Sequence, residues 1–449
     1  MEHLTFPCVQ LPENLESLKL LGVYPQRQSG LWMQRIKVQG GILTSAQWRT
    51  LAQLCAELTP HTPLALTTRQ DIEFHNVPTS VLPLLQQKLA DAGLTGQGAC
   101  GDTVRTITLC PGNGLCTGTP DLTDIAAAVR AEIEETPFIF ELPRKFKISF
   151  SSCPQACGQP WINDLGFVAV PSDSGTFFQV IGAGSLGPRP ATGIVLNPSL
   201  PARDVAVFAR TVLNIFHQQG DRVHRSHARL RHVRERFGDR AFLNLVGDAF
   251  LRAETSSISA NPVAVANGWH LFAEFTPPCG QIKPEHADAL ATISATPGCA
   301  VRLQNHHRIS IYVHKNTPAL TLPSIFELFV NRASIVSCPG TSFCRHALVD
   351  THTLERTLRE KLSAQHLPEI RISGCPNSCV HSAVAPMGLI GKTRRDTAGR
   401  RAEGFQILTG GGMGRTPALA RSIASWVPAD AVADFFISGA AQQAIISNR

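Results

Sequence analysis

"CPGNGLC" (110–116) and "CPGTSFC" (338–344) share one seven-residue frame: a Cys-x5-Cys pair with Pro and Gly after the first thiol, present twice in one chain. Each is followed by a Cys-x3-Cys pair that opens on Cys-Pro, "CPQAC" (153–157) and then "CPNSC" (375–379). The gaps match as well, with 36 residues between Cys116 and Cys153 and 30 between Cys344 and Cys375. Eight of the 13 cysteines thus form two quartets, while Cys8, Cys55, Cys100, Cys279 and Cys299 stand outside as ordinary thiols.

The repetition extends beyond the thiols. "GGILTSAQWRTLAQLCAEL" (40–58) is echoed by "CGQIKPEHADALATISA" (279–295). Thr44 and Gln47 have capping-box spacing and apolar residues follow at helical intervals, which predicts a helix. "LALTTRQDIEFHNV" (64–77) parallels "AVRLQNHHRISIYV" (300–313), and both alternate like strands. In that pairing Asn305 and His306 stand where the first copy has Arg69 and Gln70. "FFQVIGAGSLG" (177–187) and "GFQILTGGGMG" (404–414) each run from a strand into a glycine-rich loop. The period is about half the chain, so a fused pair is expected rather than a short-period solenoid. The seam is placed near 240–265, after a basic helix in "DRVHRSHARLRHVRERFGDRAF" (221–242).

At 449 residues and 43% hydrophobic, the chain has material for two or three packed domains. Only 17% is charged, with no long single-sign run, which excludes wholesale disorder. A formal charge of +7 spread along the chain does not indicate a nucleic-acid binder but suits an acidic partner or an anionic substrate. The N-terminus lacks the basic-then-apolar pattern of a signal peptide, and no stretch reaches about 18 apolar residues, so a cytoplasmic protein without a membrane span is expected. In that compartment cysteines serve as ligands or free thiols rather than disulfides.

Four soft thiolates suit zinc or an iron–sulfur cluster, and spacing wider than the usual Cys-x2-Cys knuckle favours the cluster. Beside the first Cys-x3-Cys lies "LPRKFK" (142–147), so that Arg144, Lys145, Lys147 and, upstream, Arg105 bring positive charge near thiols. Lys145 and Lys147 are two apart on a strand and share a face. Neither glycine loop has phosphate- or dinucleotide-binding spacing. Without a flavin or nicotinamide module, electrons are expected from elsewhere, a separate protein or a partner subunit.

The motifs "TTRQDIEFH", "DTVRTITLC", "LPRKFK", "SCPGTSFC", "SGCPNSC" and "GGGMG", in this order over nearly the whole chain, resemble the sirohaem-dependent sulfite and nitrite reductases. The resemblance implies an α+β fold with pseudo-two-fold symmetry: a ferredoxin-like joint domain from 18–95 and 262–330, and two sirohaem-flanking domains, 96–260 and 331–449. It implies a [4Fe–4S] cluster on Cys338, Cys344, Cys375 and Cys379, with Cys379 bridging to the sirohaem iron. Arg69, Arg105, Lys145 and Lys147 would bind the anion, and Arg144, Arg222, Arg225, Arg229 and Asn377 would flank the macrocycle. The implied activity is six-electron reduction of sulfite to sulfide with a ferredoxin or a reductase subunit as donor, and nitrite to ammonia is the nearest alternative. A precorrin-3B synthase-like enzyme and a non-catalytic iron–sulfur electron-transfer subunit are the rivals, and neither needs the four-cation cage. Cys110, Cys116, Cys153 and Cys157 are expected to hold a second cluster, with or without a second sirohaem, at a site without catalysis. His306 and His307 are read as structural residues without partners.

Overall fold

The computed structural model describes residues 14–172, 175–255, 262, 268–327, 329–330, 334–362, 369–395 and 399–438. Cys8 and the last part of the expected seam, 256–261 and 263–265, lie outside them.

The first four strands, β1 (Val23–Pro25), β2 (Leu31–Ile36), β3 (Leu64–Leu66) and β4 (Ile72–Pro78), form an antiparallel sheet that takes a fifth strand from the other half of the chain. Next come β5 (Thr108–Leu109), β6 (Ile148–Ser151), β7 (Leu165–Ser172), β8 (Gly175–Gly182) and β9 (Ile194–Pro201), which lie side by side in chain order. The second half begins with β10 (Trp269–Phe275), β11 (Gln281–Ile282), β12 (Cys299–Leu303) and β13 (Ile309–His314). It ends with β14 (Ile335–Ser337), β15 (Ile370–Ser373), β16 (Met387–Arg395), β17 (Arg401–Thr409) and β18 (Arg421–Pro428), again side by side in chain order. Both five-strand runs pair parallel across their first three strands and antiparallel across the rest. The duplicated α+β fold expected from the cysteine frames is therefore present as topology.

β11 pairs with β3, giving the order β1-β2-β4-β3-β11 and stitching the halves into one joint sheet. The helices Ser45–Leu58 and Pro284–Ala295 pack on each other at this joint. Trp48, Leu51 and Phe74 of the first copy share one apolar cluster with Leu290, Ile311 and Phe326 of the second. Each five-strand sheet has a separate core, one around Phe146, Phe150, Phe167 and Phe178 and the other around Ile372, Leu389 and Phe405. The Thr44–Gln47 capping box forms in both directions, with bonds of 3.1 and 3.0 Å.

Three local readings need correction. Residues 64–77 and 300–313 are each two strands around a sharp turn, because Gln70 (φ 64°) and His307 (φ 56°) adopt left-handed backbone that ends the pleat. Thr67 N–H bonds Asp71 C=O at 3.0 Å and Gln304 N–H bonds Arg308 C=O at 2.9 Å, so the copies align one residue further on. His306, not Asn305, is the counterpart of Arg69. The basic stretch 221–242 is not one helix: an irregular run leads into Leu230–Phe237, Gly238 (φ 78°) breaks the chain, and a second helix starts at Asp239.

The β1–β2 hairpin also grips the far half. Arg27 N–H bonds Phe343 C=O at 2.9 Å, its Nη2 bonds Ala347 C=O at 2.8 Å, and Gln28 Nε2 bonds Ser342 C=O at 2.7 Å. His75 stacks on Phe343 with centroids 4.4 Å apart. Cys344 lies inside the segment held this way.

Candidate active site

Arg69 occupies the turn between β3 and β4. Its guanidinium donates to Asn163 Oδ1 at 2.9 Å, to Ile148 C=O at 3.1 Å and to Thr106 C=O, while Nε has no partner. Arg105 gives its Nη atoms to Ala99 C=O (2.6 Å) and Gly101 C=O (2.8 Å), again leaving Nε buried and unpartnered. Burial pulls both guanidinium groups down to about 10.

Lys145 and Lys147 lie just before β6 and not on it as expected. They flank Phe146, which bridges Val104 and buries its ring in the core, so alternation of the bridged segment turns both ammonium groups to the opposite face. Neither has a hydrogen-bond or ion-pair partner among the described residues. Burial, reinforced by Arg105, Arg229 and Arg144, brings Lys145 down to about 7, with Cys379 acting in the other direction. Burial and then Arg69, Lys145 and Arg229 hold Lys147 well below the lysine range, against the pull of Asp164. Two neutralisable ammonium groups between fixed guanidinium groups form a cavity that favours an anion.

Asp164, wholly buried, anchors the surroundings. It accepts Lys147 N–H at 2.8 Å and a fork from Arg229 (Nε 3.2 Å, Nη2 2.7 Å). Arg144 and Arg225 share the Asp102 carboxylate at 3.1 and 2.6 Å. Arg222 is exposed and spends itself on Glu141 C=O (2.8 Å) and on His217.

Each cysteine quartet is gathered by two loops that follow parallel strands of one sheet. In the second, Cys338 is buried and accepts Gly374 N–H at 3.1 Å, while Cys379 is exposed. Burial and the neighbouring thiols push Cys338 up to about 12 and Cys375 up to about 11. In the first quartet Cys110 is buried and accepts Ser152 N–H at 3.2 Å. Burial raises it to about 12. Among the described residues no three His, Cys, Asp or Glu side chains close round a single ion.

The second quartet meets the cations of the other half. Thr68 Oγ1, beside Arg69, donates to Cys379 C=O at 2.9 Å. A small cleft opens here, lined by Arg69, Lys147, Gln159, Asn163, Asn305 and His381 among others. All four parts of the chain contribute a wall. Sequence reasoning missed Thr68, Asn163, Gln159 and His381. Gln159 and His381 each sit two residues past a quartet's last cysteine in left-handed backbone (φ 59° and 64°), so the repeat register itself was their signal. Asn377, expected near the macrocycle, hydrogen-bonds the Cys375 sulfur.

The mirrored position carries other chemistry. Glu369 takes the place of Lys147 and His306 that of Arg69. Glu369 binds Arg308 at 2.9 Å and also Arg371, and His306 contacts Arg371 at 3.0 Å and Gln159. His306 therefore has partners, contrary to the sequence reading.

This donor set fits an iron–sulfur cluster beside an anionic macrocycle. Soft thiols gather where a backbone N–H already donates to sulfur, one thiol is exposed, and the buried Nε donors of Arg69 and Arg105 lack partners among the described residues.

The nitrite and sulphite reductase 4Fe-4S domain model matches residues 100–252 and 330–438, and the nitrite/sulfite reductase ferredoxin-like half domain model matches 24–92. The ferredoxin–nitrite reductase of Synechococcus elongatus is 30% identical over 88% of this chain and 83% of its own. A sulfite reductase [ferredoxin] 2 of Mycolicibacterium paratuberculosis is 26% identical over 90% and 80%. The solved structure of Mycobacterium tuberculosis NirA protein superposes with a TM-score of 0.80 at 21% identity, over 96% of this chain and 88% of that one. Fold and site thus define an oxidoreductase built for a small anion. The chain belongs to the sirohaem-dependent nitrite and sulfite reductase family, whose cofactors are sirohaem and a [4Fe–4S] cluster.

Proposed function

We propose that this chain reduces sulfite to sulfide, taking hydrogen sulfite, six electrons and six protons to hydrogen sulfide anion and three waters. The observation that carries this reading is the lysine pair, Lys145 and Lys147, turned to the face that also receives Arg69. Sulfite reaches a double negative charge near neutral pH and nitrite bears one, so the more highly charged oxyanion gains most from two unpaired ammonium groups.

In this reading Cys338, Cys344, Cys375 and Cys379 would hold the cluster, with Cys379 the exposed thiol of the four. The cofactors when bound supply electrons and a metal for the substrate atom. Arg69 and Arg105 supply fixed charge, since their carbonyl and amide partners lock their planes. Lys145 and Lys147 hold substrate oxygens and give up protons as these leave as water, which groups lowered toward neutrality do readily. Arg229 and Asp164 fix the Lys147 backbone. Arg144, Arg222, Arg225, Arg229 and Asn377 remain our assignments around the macrocycle, as does the division at 18–95, 96–260, 262–330 and 331–449. The donor is a small acidic ferredoxin, as the names of the relatives suggest.

Steady-state kinetics with both anions test the choice. Lys147→Asn should lower kcat/KM for sulfite about 100-fold and for nitrite much less. Equal losses, or a wild-type preference for nitrite, overturn the sulfite reading.

A further inference from the structure

The reading above leaves the first quartet without a task. We propose that Cys110, Cys116, Cys153 and Cys157 hold a second [4Fe–4S] cluster that carries electrons and binds no substrate. The proposal rests on the second quartet being the family's cluster site.

The two loop systems share a set of backbone bonds. Cys110 N–H bonds Phe150 C=O at 3.0 Å, and Cys338 N–H bonds Ile372 C=O at 3.0 Å. Cys116 N–H reaches back to Gly112 C=O at 3.0 Å, and Cys344 N–H to Gly340 C=O at 2.9 Å. Ala156 N–H bonds Cys153 C=O at 3.1 Å, and Ser378 N–H bonds Cys375 C=O at 3.3 Å. Ala156 and Ser378 share left-handed backbone (φ 56° and 51°). The N–H···S bond repeats too, at 3.2 Å on Cys110 and 3.1 Å on Cys338. Such bonds stabilise an iron-bound thiolate and tune its potential. All four thiols are unpaired, with Cys110 buried and Cys157 exposed, as Cys338 and Cys379 are in the other copy.

Gly112 supplies a separate observation. A Cβ there would stand 2.2 Å from Cys116 Sγ, so a side chain at 112 would displace this thiol from where it now lies, over the loop. Because the scaffold shares the backbone bonds of the family's cluster loops and its Cys-x5-Cys and Cys-x3-Cys spacing is wider than the usual zinc knuckle, the occupant is a cluster rather than zinc.

The facing residues rule out a second substrate site. Glu369 puts a carboxylate where the cage has Lys147, and His306 replaces a permanent cation. Glu369 takes up Arg308 and Arg371 there, so an oxyanion finds no free ammonium group to replace its lost water. The filled site takes an electron from the donor and passes it on, a one-electron couple with no bond to substrate.

The test is iron analysis and low-temperature electron paramagnetic resonance on the full-length chain purified without oxygen, with sirohaem extracted and measured separately. The expected result is about nine irons per chain, four per cluster plus that of sirohaem, and two reducible cluster signals. Cys116→Ser/Cys153→Ser should then hold about five, lose one signal and slow sulfite reduction driven by ferredoxin, while reduction driven by a small-molecule reductant is largely kept. About five irons in the wild type with sirohaem present, or stoichiometric zinc in place of the missing iron, overturns the second cluster while leaving the functional reading intact. A wild type without sirohaem overturns the functional reading instead.

Discussion

Lys147 is held far below its ordinary range by burial and by three neighbouring cations, so the fold suppresses its charge until an anion arrives. Below the unfolded value near ~10.4, unfolding lets this amine take up a proton, which favours the unfolded chain. Lys147→Met should therefore raise the thermal midpoint, with a gain of about 1 kcal/mol that fades as pH rises toward ~10, while sulfite reduction collapses. A lower midpoint would mean the ammonium has a stabilising partner. Lys145, brought down to about 7, sets the pH response: its proton is lost as pH rises through that value, so the KM for sulfite should climb above about pH 7. Lys145→Arg should extend the flat region to higher pH, and an unchanged profile would remove Lys145 from the titration. The residue types of the cage are legible in "TTRQDIEFH" and "LPRKFK" because charge and strand period lie within a few residues of each other. The fate of Arg222 and Arg225 is not, because their partners, Glu141 C=O and Asp102, are distant in sequence.

At the scale of elements, the predicted helix 45–58 forms with its capping box, and Thr44→Ala should cost about 1 kcal/mol in denaturant unfolding without changing cofactor content. The turns carrying Arg69 and His306 were read as continuous strand because Gln70 and His307 are not glycine, so nothing local announces their left-handed backbone. That same conformation puts Gln70 Nε2 within 2.8 Å of Leu109 C=O and 2.9 Å of Leu303 C=O, tying the turn to both sheets. Gly41 (φ 73°) packs against this bridge, and a Cβ on it would stand 2.3 Å from Leu303 C=O. Gly41→Ala should therefore destabilise the joint by about 2 kcal/mol or more and lower anion affinity with it. Full affinity in a destabilised variant would separate the turn from the site.

Across the whole molecule, the duplication is legible because two cysteine frames and their spacing survive where most of the intervening sequence has diverged. The exchange of β11 into the first half's sheet was not, since two residues of strand leave no periodic signal. A net charge of +7 should speed docking of an acidic ferredoxin, so ferredoxin-dependent turnover should fall several-fold between about 50 and 300 mM salt, while turnover with a small-molecule reductant stays flat. Parallel losses would place the salt effect at the substrate instead.

The hairpin that grips residues 342–347 makes cofactor loading visible at the surface. While Cys344 is tethered, the carbonyls of Ser342, Phe343 and Ala347 are held in place for Gln28 and Arg27. Stripped of iron, that segment gains freedom and the hairpin loses its far anchor. Trypsin should then cut after Arg27 faster in iron-depleted chain than in loaded chain, and equal rates would deny the link. Inside a cell the same exposure would let a protease separate finished molecules from empty ones, making the far end of the chain a readout of assembly.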